Sequence, residues 1–149
     1  MAKYYSTKTY GNDRGLSCAF RQWRSTHSHC SLLHGYSIGI RLVFEAETLD
    51  SRNWVMDFGG LKKFKQWDEH MFDHTTLVAE DDPGLGGFKT MDQLGIIQLR
   101  ILPATGAERF AEFIFNKLNT FIQEETSGRV KVVRVEFMEH NKNTAIYEG

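Results

Sequence analysis

The stretch that decides the fold reads Cys30-Ser-Leu-Leu-His34-Gly-Tyr36-Ser-Ile-Gly-Ile-Arg-Leu-Val-Phe-Glu-Ala-Glu47. Apolar side chains recur at every second position from Ile38 to Phe44, which is the period of a strand that buries one face. The pattern predicts a strand over residues 36–47. A thiol, Cys30, and an imidazole, His34, stand directly before it, so we expect chemically active side chains at its start.

Further strands are predicted on both sides of this one. Residues 4–23 mix aromatic and polar side chains around a Gly-Asn-Asp-Arg-Gly segment, which predicts two strands joined at a turn. Strands are also predicted over residues 130–137 and 144–147 from their alternation, and shorter ones over residues 54–56 and 96–102.

Two amphipathic helices are predicted between these strands. The first begins near Phe58, behind Asp57 as its N-cap. The second covers residues 105–124 and begins with Thr105 and Glu108 at the spacing of a capping box. Strands and helices in separate blocks favour an α+β fold with an antiparallel sheet.

The composition bounds the class of protein. The chain has 149 residues, which we assign to one domain, residues 1–149. Its 18 basic and 19 acidic residues give a net charge of -1, so no basic surplus exists to neutralise nucleic-acid phosphates. No apolar run approaches the roughly 18 residues of a membrane span, and the N-terminus has no apolar signal core. Cys18 and Cys30 make no disulfide framework, so we expect a cytoplasmic protein with free thiols.

Histidine is concentrated in one segment. Three of the six histidines, His27, His29 and His34, fall within eight residues, and Cys30 lies among them. A cysteine beside histidines can act as a thiolate nucleophile or base, because a neighbouring positive charge lowers its pKa. Histidines with a cysteine can also form a zinc site. Spacing alone does not choose between these roles and a polar loop without a ligand.

Two further candidate sites each contain an acidic residue. Asp73 and His74, near the end of the first helix, suit a relay in which a carboxylate orients or charges an imidazole. A histidine near a helix C-terminus is equally explained by the helix dipole. Glu139 follows the strand from Val130 and can bind a guanidine-like edge through two hydrogen bonds; the alternative is a solvated acid.

Five motifs in chain order resemble the 6-pyruvoyl-tetrahydropterin synthase and 6-carboxytetrahydropterin synthase family, which has the tunnelling fold. They are Cys30-x-x-x-His34-Gly-Tyr36, Trp54-Val-Met-Asp57-Phe58-Gly-Gly-Leu61-Lys62, Phe72-Asp73-His74-Thr-Thr-Leu77, Pro103-Ala-Thr105-Gly-Ala-Glu108, and Phe137-Met138-Glu139-His140 with Tyr147. The resemblance spans nearly the whole chain except residues 84–102, which look like an insertion. It implies a four-stranded antiparallel sheet with two helices on one face. It also implies that three subunits close a barrel, that two such trimers stack into a hexamer, and that the active sites lie between subunits.

The resemblance also implies a reaction. The family's substrate is 7,8-dihydroneopterin triphosphate. Zinc holds its side-chain hydroxyls, and a cysteine tuned by an Asp-His pair moves protons while triphosphate leaves. Carried over, Cys30 is the base, Asp73 and His74 are the relay, and Glu139 anchors the pterin. Thr105 and Glu108, at the matching helix start, become further candidates for substrate binding.

The zinc ligands are where this chain departs from the family. The family uses the histidine of an early Ala-Ala-His segment and both histidines of a His-Gly-His segment. The first aligns with Phe20 and the third with Tyr36, so only His34 is retained. Phenylalanine cannot ligate zinc and tyrosine seldom does. Either the metal has been lost, or His27 and His29 supply the missing nitrogens beside His34.

Three functional hypotheses remain open at this point. The first is a lyase that yields 6-carboxytetrahydropterin, on the route to queuosine and 7-deazapurines, or 6-pyruvoyl-tetrahydropterin. The second is a metal-free protein that binds a pterin or purine without converting it. The third is an aldol-type cleavage of the side chain in the same pocket, using Cys30 without zinc. The expected partners are a pterin triphosphate and further copies of the chain, with neither nucleic acid nor a membrane.

Overall fold

The computed structural model describes residues 2–149, which form eight strands and three α-helices. The strands are β1 (Tyr4–Tyr10), β2 (Ser17–Phe20), β3 (His34–Ser37), β4 (Gly39–Ala46), β5 (Thr75–Ala79), β6 (Leu99–Leu102), β7 (Val130–His140) and β8 (Asn143–Glu148). The helices are α1 (Lys62–Phe72), α2 (Leu85–Gln93) and α3 (Ala107–Glu125). Short 3-10 turns cover Asn12–Arg14, His29–Ser31 and Phe58–Leu61.

One sheet is fully antiparallel and has the strand order β1-β4-β7-β8. Its alternating residues Ile40, Leu42 and Phe44 on β4 are fully buried, as the period-two pattern predicts. Helix α3 packs against β7 and β8 and covers this apolar face. The structure therefore confirms an α+β fold with a four-stranded antiparallel sheet.

The second sheet is mixed and has the order β3-β2-β5-β6. β2 and β3 pair antiparallel, whereas β5 pairs in parallel with both β2 and β6. A parallel pair needs a long connection, and α2 lies on the one between β5 and β6. The sequence interpretation missed α2 and this sheet, because the glycine pair in Leu85–Gln93 is typical of a turn. Whether residues 84–102 are an insertion stays a prediction.

The strand predicted over residues 36–47 is divided between the two sheets. β3 ends at Ser37 and β4 begins at Gly39, while the N–H of Ile38 donates to the carbonyl of Leu16 at 3.0 Å. A Cβ on Gly39 would lie 3.1 Å from two backbone atoms, so the close passage here requires glycine. The division places Tyr36 beside β2.

The predicted strand over residues 54–56 is wrong. Asp50 closes this segment into a tight loop, because its carboxylate accepts hydrogen bonds from the N–H groups of Arg52 at 2.8 Å and Trp54 at 3.0 Å. Backbone groups held in such a turn are not free to pair with a neighbouring strand.

The two predicted helix starts differ in outcome. The Asp57 carboxylate accepts a hydrogen bond from the N–H of Gly59 at 2.9 Å, so the N-cap is confirmed, with one 3-10 turn before α1. The capping box at Thr105 and Glu108 is wrong. Gly106 precedes α3 with φ 120°, and the Thr105 hydroxyl donates instead to the carbonyl of Arg21 at 2.7 Å.

The core is centred on three aromatic rings from α1, α3 and β7. Phe72, Phe110 and Phe137 are fully buried, with ring centroids 5.2 to 5.8 Å apart. These contacts fix the helices relative to the antiparallel sheet. Among residues 2–149, no helix combines the length and apolar character that crossing a bilayer requires.

Candidate active site

Cys30 lies in the loop that connects β2 to β3. The loop folds back on itself, because the N–H of Gln22 donates to the carbonyl of Cys30 at 2.8 Å. The N–H of Cys30 donates to the hydroxyl oxygen of Ser28 at 3.1 Å. The Cys30 thiol is free and exposed, whereas Cys18 is buried within β2, where burial raises its pKa to about 12. Of the two thiols, only Cys30 is placed to meet a substrate.

An ion pair anchors the base of this loop. Arg21 donates through Nε and Nη2 to the two carboxylate oxygens of Asp82, and through Nη1 to the carbonyl of Ser31 at 3.2 Å. The Asp82 side chain is buried, and its hydrogen bonds from Arg21 hold its pKa below the ordinary value. A bidentate ion pair fixes the orientation of the two side chains as well as the distance between them. The loop therefore has a defined position on the second sheet.

An aromatic pair lies where the loop meets β3. Phe20, at the end of β2, is 1% exposed, and its ring stacks on Tyr36 with centroids 4.5 Å apart and 20° between planes. Phe110 of α3 meets Phe20 edge-on at 4.9 Å. Burial raises the pKa of Tyr36, and the nearby charges of Glu139 and Cys30 raise it further. Tyr36 therefore lies near both Glu139 and Cys30, which are predicted site residues.

Glu139 lies at an irregularity between β7 and β8. The register shifts between Met138 and His140, so Glu139 has no partner residue on β8. Its side chain faces an open cleft of about 420 Å³ lined by Gln22, Ala107, Glu108, Glu139, Lys142, Asn143, Thr144 and Ala145. Burial raises the pKa of Glu139, and the negative charge of Glu108 adds to this rise.

Thr105 and Glu108, the other predicted substrate-binding residues, are separated by the structure. Glu108 lies in the first turn of α3 and lines the Glu139 cleft. Thr105 lines an adjoining cavity of about 120 Å³ with Gln22, Trp23 and other residues, and its hydroxyl already donates to Arg21.

Asp73 and His74 form a pair just after α1. His74 has a left-handed backbone with φ 57°, which turns the two neighbouring side chains toward each other. The imidazole Nδ1 lies 2.8 Å from the Asp73 carboxylate, and since a carboxylate only accepts, Nδ1 carries the proton. The same carboxylate accepts from the N–H of Ser17 at 3.3 Å. The ring is exposed, and its Nε2 takes no part in the contact with Asp73.

Within one chain, the structure does not bring the Asp73–His74 pair and the Cys30 thiol together. Asp73 and His74 contact Ser17, at the beginning of β2. Cys30 contacts Gln22, just beyond the end of β2. Strand β2 therefore lies between the Asp73–His74 pair and the Cys30 loop within one chain.

Sequence comparison supports the architecture described above. A family model described as 6-pyruvoyl tetrahydropterin synthase matches residues 12–149. The chain belongs to this pterin synthase family. The match includes the Cys30 loop, the Asp73–His74 turn and the Glu139 strand.

The curated relatives of this chain share the same name. A 6-carboxy-5,6,7,8-tetrahydropterin synthase of Aquifex aeolicus is 27% identical over 124 residues, or 80% of this chain and 75% of that protein. A protein of the same name from Rickettsia conorii is 33% identical over 58 residues, or 38% of this chain. The match spans 42% of the Rickettsia protein's length, which is less than half.

Solved structures show the same fold at low sequence identity. An uncharacterized protein of Wolinella succinogenes superposes with a TM-score of 0.84 at 20% identity, covering 100% of this chain and 99% of that one. A variant of Plasmodium vivax 6-pyruvoyltetrahydropterin synthase superposes with a TM-score of 0.71 at 15% identity, with the same coverage. The pterin synthase fold is thus retained in a strongly diverged sequence.

The residues of this family member do not fit a zinc ion bound by three histidines. His27, His29 and His34 are all exposed in or beside the β2–β3 loop. Within residues 2–149, no group of three or more His, Cys, Asp or Glu side chains is arranged to hold a metal ion. The His34 Nδ1 donates to the carbonyl of Leu32 at 2.8 Å, which leaves one ring nitrogen free.

Several residues of this region carry no signal in the sequence. Gln22 lines both cavities and joins the Cys30 loop to the Glu139 cleft, yet no motif contains it. Arg21 and Asp82 are 61 positions apart and pair only in the folded chain. Tyr36 stood out only as a missing zinc ligand.

Proposed function

We propose that this pterin synthase family member is a lyase that acts on 7,8-dihydroneopterin triphosphate and releases triphosphate. The proposed product is 6-carboxytetrahydropterin, with 6-pyruvoyl-tetrahydropterin as the alternative. The observation that carries the proposal is the half-buried Glu139 carboxyl, which faces an open cleft in the same neighbourhood as Tyr36 and the exposed Cys30 loop. The name shared by the curated relatives supports it.

Glu139 is the proposed anchor for the pterin ring. The amino-pyrimidine edge of a pterin offers two adjacent N–H donors, and an ionised carboxylate accepts both. Partial burial makes such bonds stronger, because water competes less for the carboxylate. Burial and Glu108 raise the Glu139 pKa, while nearby His140 opposes that rise.

Cys30 is the proposed base. A thiolate there removes a proton from the side-chain carbon next to the one that bears the triphosphate, and the triphosphate then leaves. Rearrangement of the remaining side chain gives the 6-pyruvoyl product. The 6-carboxyl product requires in addition that water adds and that the bond between the first and second side-chain carbons breaks, so that the two outer carbons leave as acetaldehyde. The Asp73–His74 pair of a second subunit is proposed to exchange that proton, because the strand β2 separates the pair from Cys30 within one chain. The hydrogen bond from Nδ1 to Asp73 fixes the orientation of the ring and leaves Nε2 available for the substrate.

The proposed oligomer is a hexamer made of two trimers. β1 and β8 are the two edges of the antiparallel sheet, and each leaves backbone groups unpaired. Tyr4 and Tyr5 on β1 and Ile146 on β8 are exposed apolar side chains at these edges. Edge-to-edge pairing of three subunits would cover them and close a barrel.

Incubation of the purified protein with 7,8-dihydroneopterin triphosphate tests the proposal. We expect release of triphosphate and a 6-carboxytetrahydropterin product, both measured by chromatography with mass detection. The Cys30→Ala variant should lose at least ~100-fold in turnover and keep pterin affinity, since general-base catalysis contributes roughly that factor. The Cys18→Ala variant is the matched control and should retain turnover, because Cys18 is buried away from solvent.

A metal-free binding protein is the second candidate function. The observation that favours it is the replacement of two family zinc ligands by the stacked rings of Phe20 and Tyr36. Tight pterin binding without any release of triphosphate would reject the lyase and support this candidate. A pterin that ends in a hydroxymethyl group, with the triphosphate still bound to the released two-carbon fragment, would instead indicate aldol-type cleavage.

A further inference from the structure

The position of the family's zinc ligands is filled by packed aromatic rings in this chain. Phe20 and His34 are directly opposed residues of β2 and β3, and Tyr36 follows two positions along β3. All three side chains would have to be nitrogen donors to reproduce the family's ligand set. Two of them are rings without a nitrogen atom.

The rings are part of the core rather than of an adaptable surface. Phe20 is 1% exposed, is stacked on Tyr36 at 4.5 Å and meets Phe110 edge-on at 4.9 Å. Such ring contacts stabilise the packing beyond what the burial of apolar area alone provides. An ion at this position would face ring carbons and displace the packing that joins β2, β3 and α3.

The remaining histidine offers too few donors. His34 is exposed, and its Nδ1 donates to the carbonyl of Leu32 at 2.8 Å, so only Nε2 is free to bind a metal. Catalytic zinc needs three protein ligands and an open position. Neither His27 nor His29 completes a set, because residues 2–149 contain no group of three potential ligands suitably arranged.

We propose that this chain holds no resident zinc ion where the pterin synthase family holds one, and that the Phe20–Tyr36 stack replaces the metal as the link between β2 and β3. The inference rests on side-chain packing and is independent of the proposed reaction. It holds equally for a lyase and for a binding protein.

Metal analysis of protein purified without chelator tests the inference. We expect less than ~0.1 zinc per chain in the unaltered protein after growth with added zinc, measured by plasma mass spectrometry, because three-ligand zinc sites bind far more tightly than one imidazole does. Chelator should leave its melting temperature unchanged. Near-stoichiometric zinc that survives desalting and is lost in the His34→Ala variant would overturn the inference.

A designed variant tests whether the Phe20–Tyr36 pair excludes the metal. The Phe20→His/Tyr36→His double variant restores the family's three-histidine spacing around His34 and should gain close to one zinc per chain. The matched control Phe20→His/Tyr36→Phe keeps the ring at position 36, offers one imidazole fewer, and should stay below ~0.2 zinc per chain. Equal zinc in both variants would contradict the assignment. If the double variant fails to fold, the metal content of the unaltered protein still decides the inference.

Discussion

At the residue scale, three carboxyl groups differ in their surroundings, two in the candidate site and one, Asp68, outside it. Glu139 is half-buried beside a cleft, Asp73 is bonded to an imidazole, and Asp68 is 1% exposed within α1. Oδ1 of Asp68 has no hydrogen-bond partner among residues 2–149. The surroundings of Glu139 and of Asp68 each give a measurable prediction.

The first prediction concerns recognition of the pterin by Glu139. The Glu139→Gln variant keeps the shape of the side chain and replaces one acceptor oxygen by a donor, so it clashes with one of the two ring donors. We expect pterin affinity to fall about 10- to 100-fold, as bonds to a charged group contribute roughly 1.5–3 kcal/mol. Titration calorimetry measures the change. Glu47→Gln, at an exposed glutamate outside the cleft, is the control, and equal affinities in both variants would remove Glu139 as the anchor.

The second prediction concerns the pH dependence of stability. Burial raises the pKa of Asp68 from 3.8 to about 8. A raised pKa means that the folded protein holds this proton more tightly than the unfolded chain does. The stability it contributes is fully present below about pH 4 and is lost as the pH rises toward 8.

The Asp68→Asn variant removes this titration. Relative to the variant, we expect the unaltered protein to lose about 2–4 kcal/mol of unfolding free energy between pH 5 and pH 9. Urea unfolding at both pH values measures the difference. Parallel pH profiles for the two proteins would show that Asp68 is ionised in the folded state.

At the scale of elements, the start of α3 supports the candidate site. Gly106 has φ 120°, and a Cβ there would lie 3.2 Å from Oε1 of Gln22. Phe110, one turn later, holds the Phe20 ring, while Glu108 lines the cleft. The helix start thus contacts both the Phe20 ring and the Glu139 cleft.

The third prediction tests this helix start. Gly106→Ala should destabilise the protein by about 1–3 kcal/mol, because a side chain is strained at that backbone angle and crowds Gln22. Gly87→Ala is the matched control. It lies inside α2 with no atom within 4 Å of the added Cβ, and should stabilise by roughly 0.5–1 kcal/mol. Thermal unfolding compares the two, and a destabilisation of equal size in both would contradict the argument.

At the scale of the whole molecule, the two halves of the proposed catalytic machinery lie apart. The Asp73–His74 pair contacts one end of β2, and the Cys30 loop contacts the other. The proposed site, with Cys30 from one subunit and His74 from another, can be tested by mixing variants.

The fourth prediction follows from that separation. Homo-oligomers of Cys30→Ala and of His74→Ala should each be inactive, whereas hybrids formed by refolding a 1:1 mixture should recover activity. Random assembly gives about a quarter of the sites an intact Cys30 and an intact His74 from different chains, so we expect about 25% of full turnover. Inactive hybrids of correct size would show that both residues act within one chain.

The sequence predicted most of the antiparallel sheet and the two long helices, because their apolar periods depend on local spacing. It predicts Cys30, the Asp73–His74 pair and Glu139 as site residues through a chain-long resemblance, and their roles stay predictions. It missed β5, α2 and the mixed sheet. β5 has no alternation, since all five of its residues are buried, and the glycines of α2 are typical of a turn.

What the sequence by itself determined is the family and the α+β class; it also predicts, from the resemblance, that Phe20 and Tyr36 stand where the family has zinc ligands. Only the tertiary structure showed that these rings stack in the core, that Arg21 and Asp82 fix the loop, and that β2 separates Cys30 from His74. The physical reason is the distance along the chain over which each kind of interaction acts. Periodicity and motifs depend on neighbours along the chain, whereas packing, ion pairs and clefts join residues tens of positions apart.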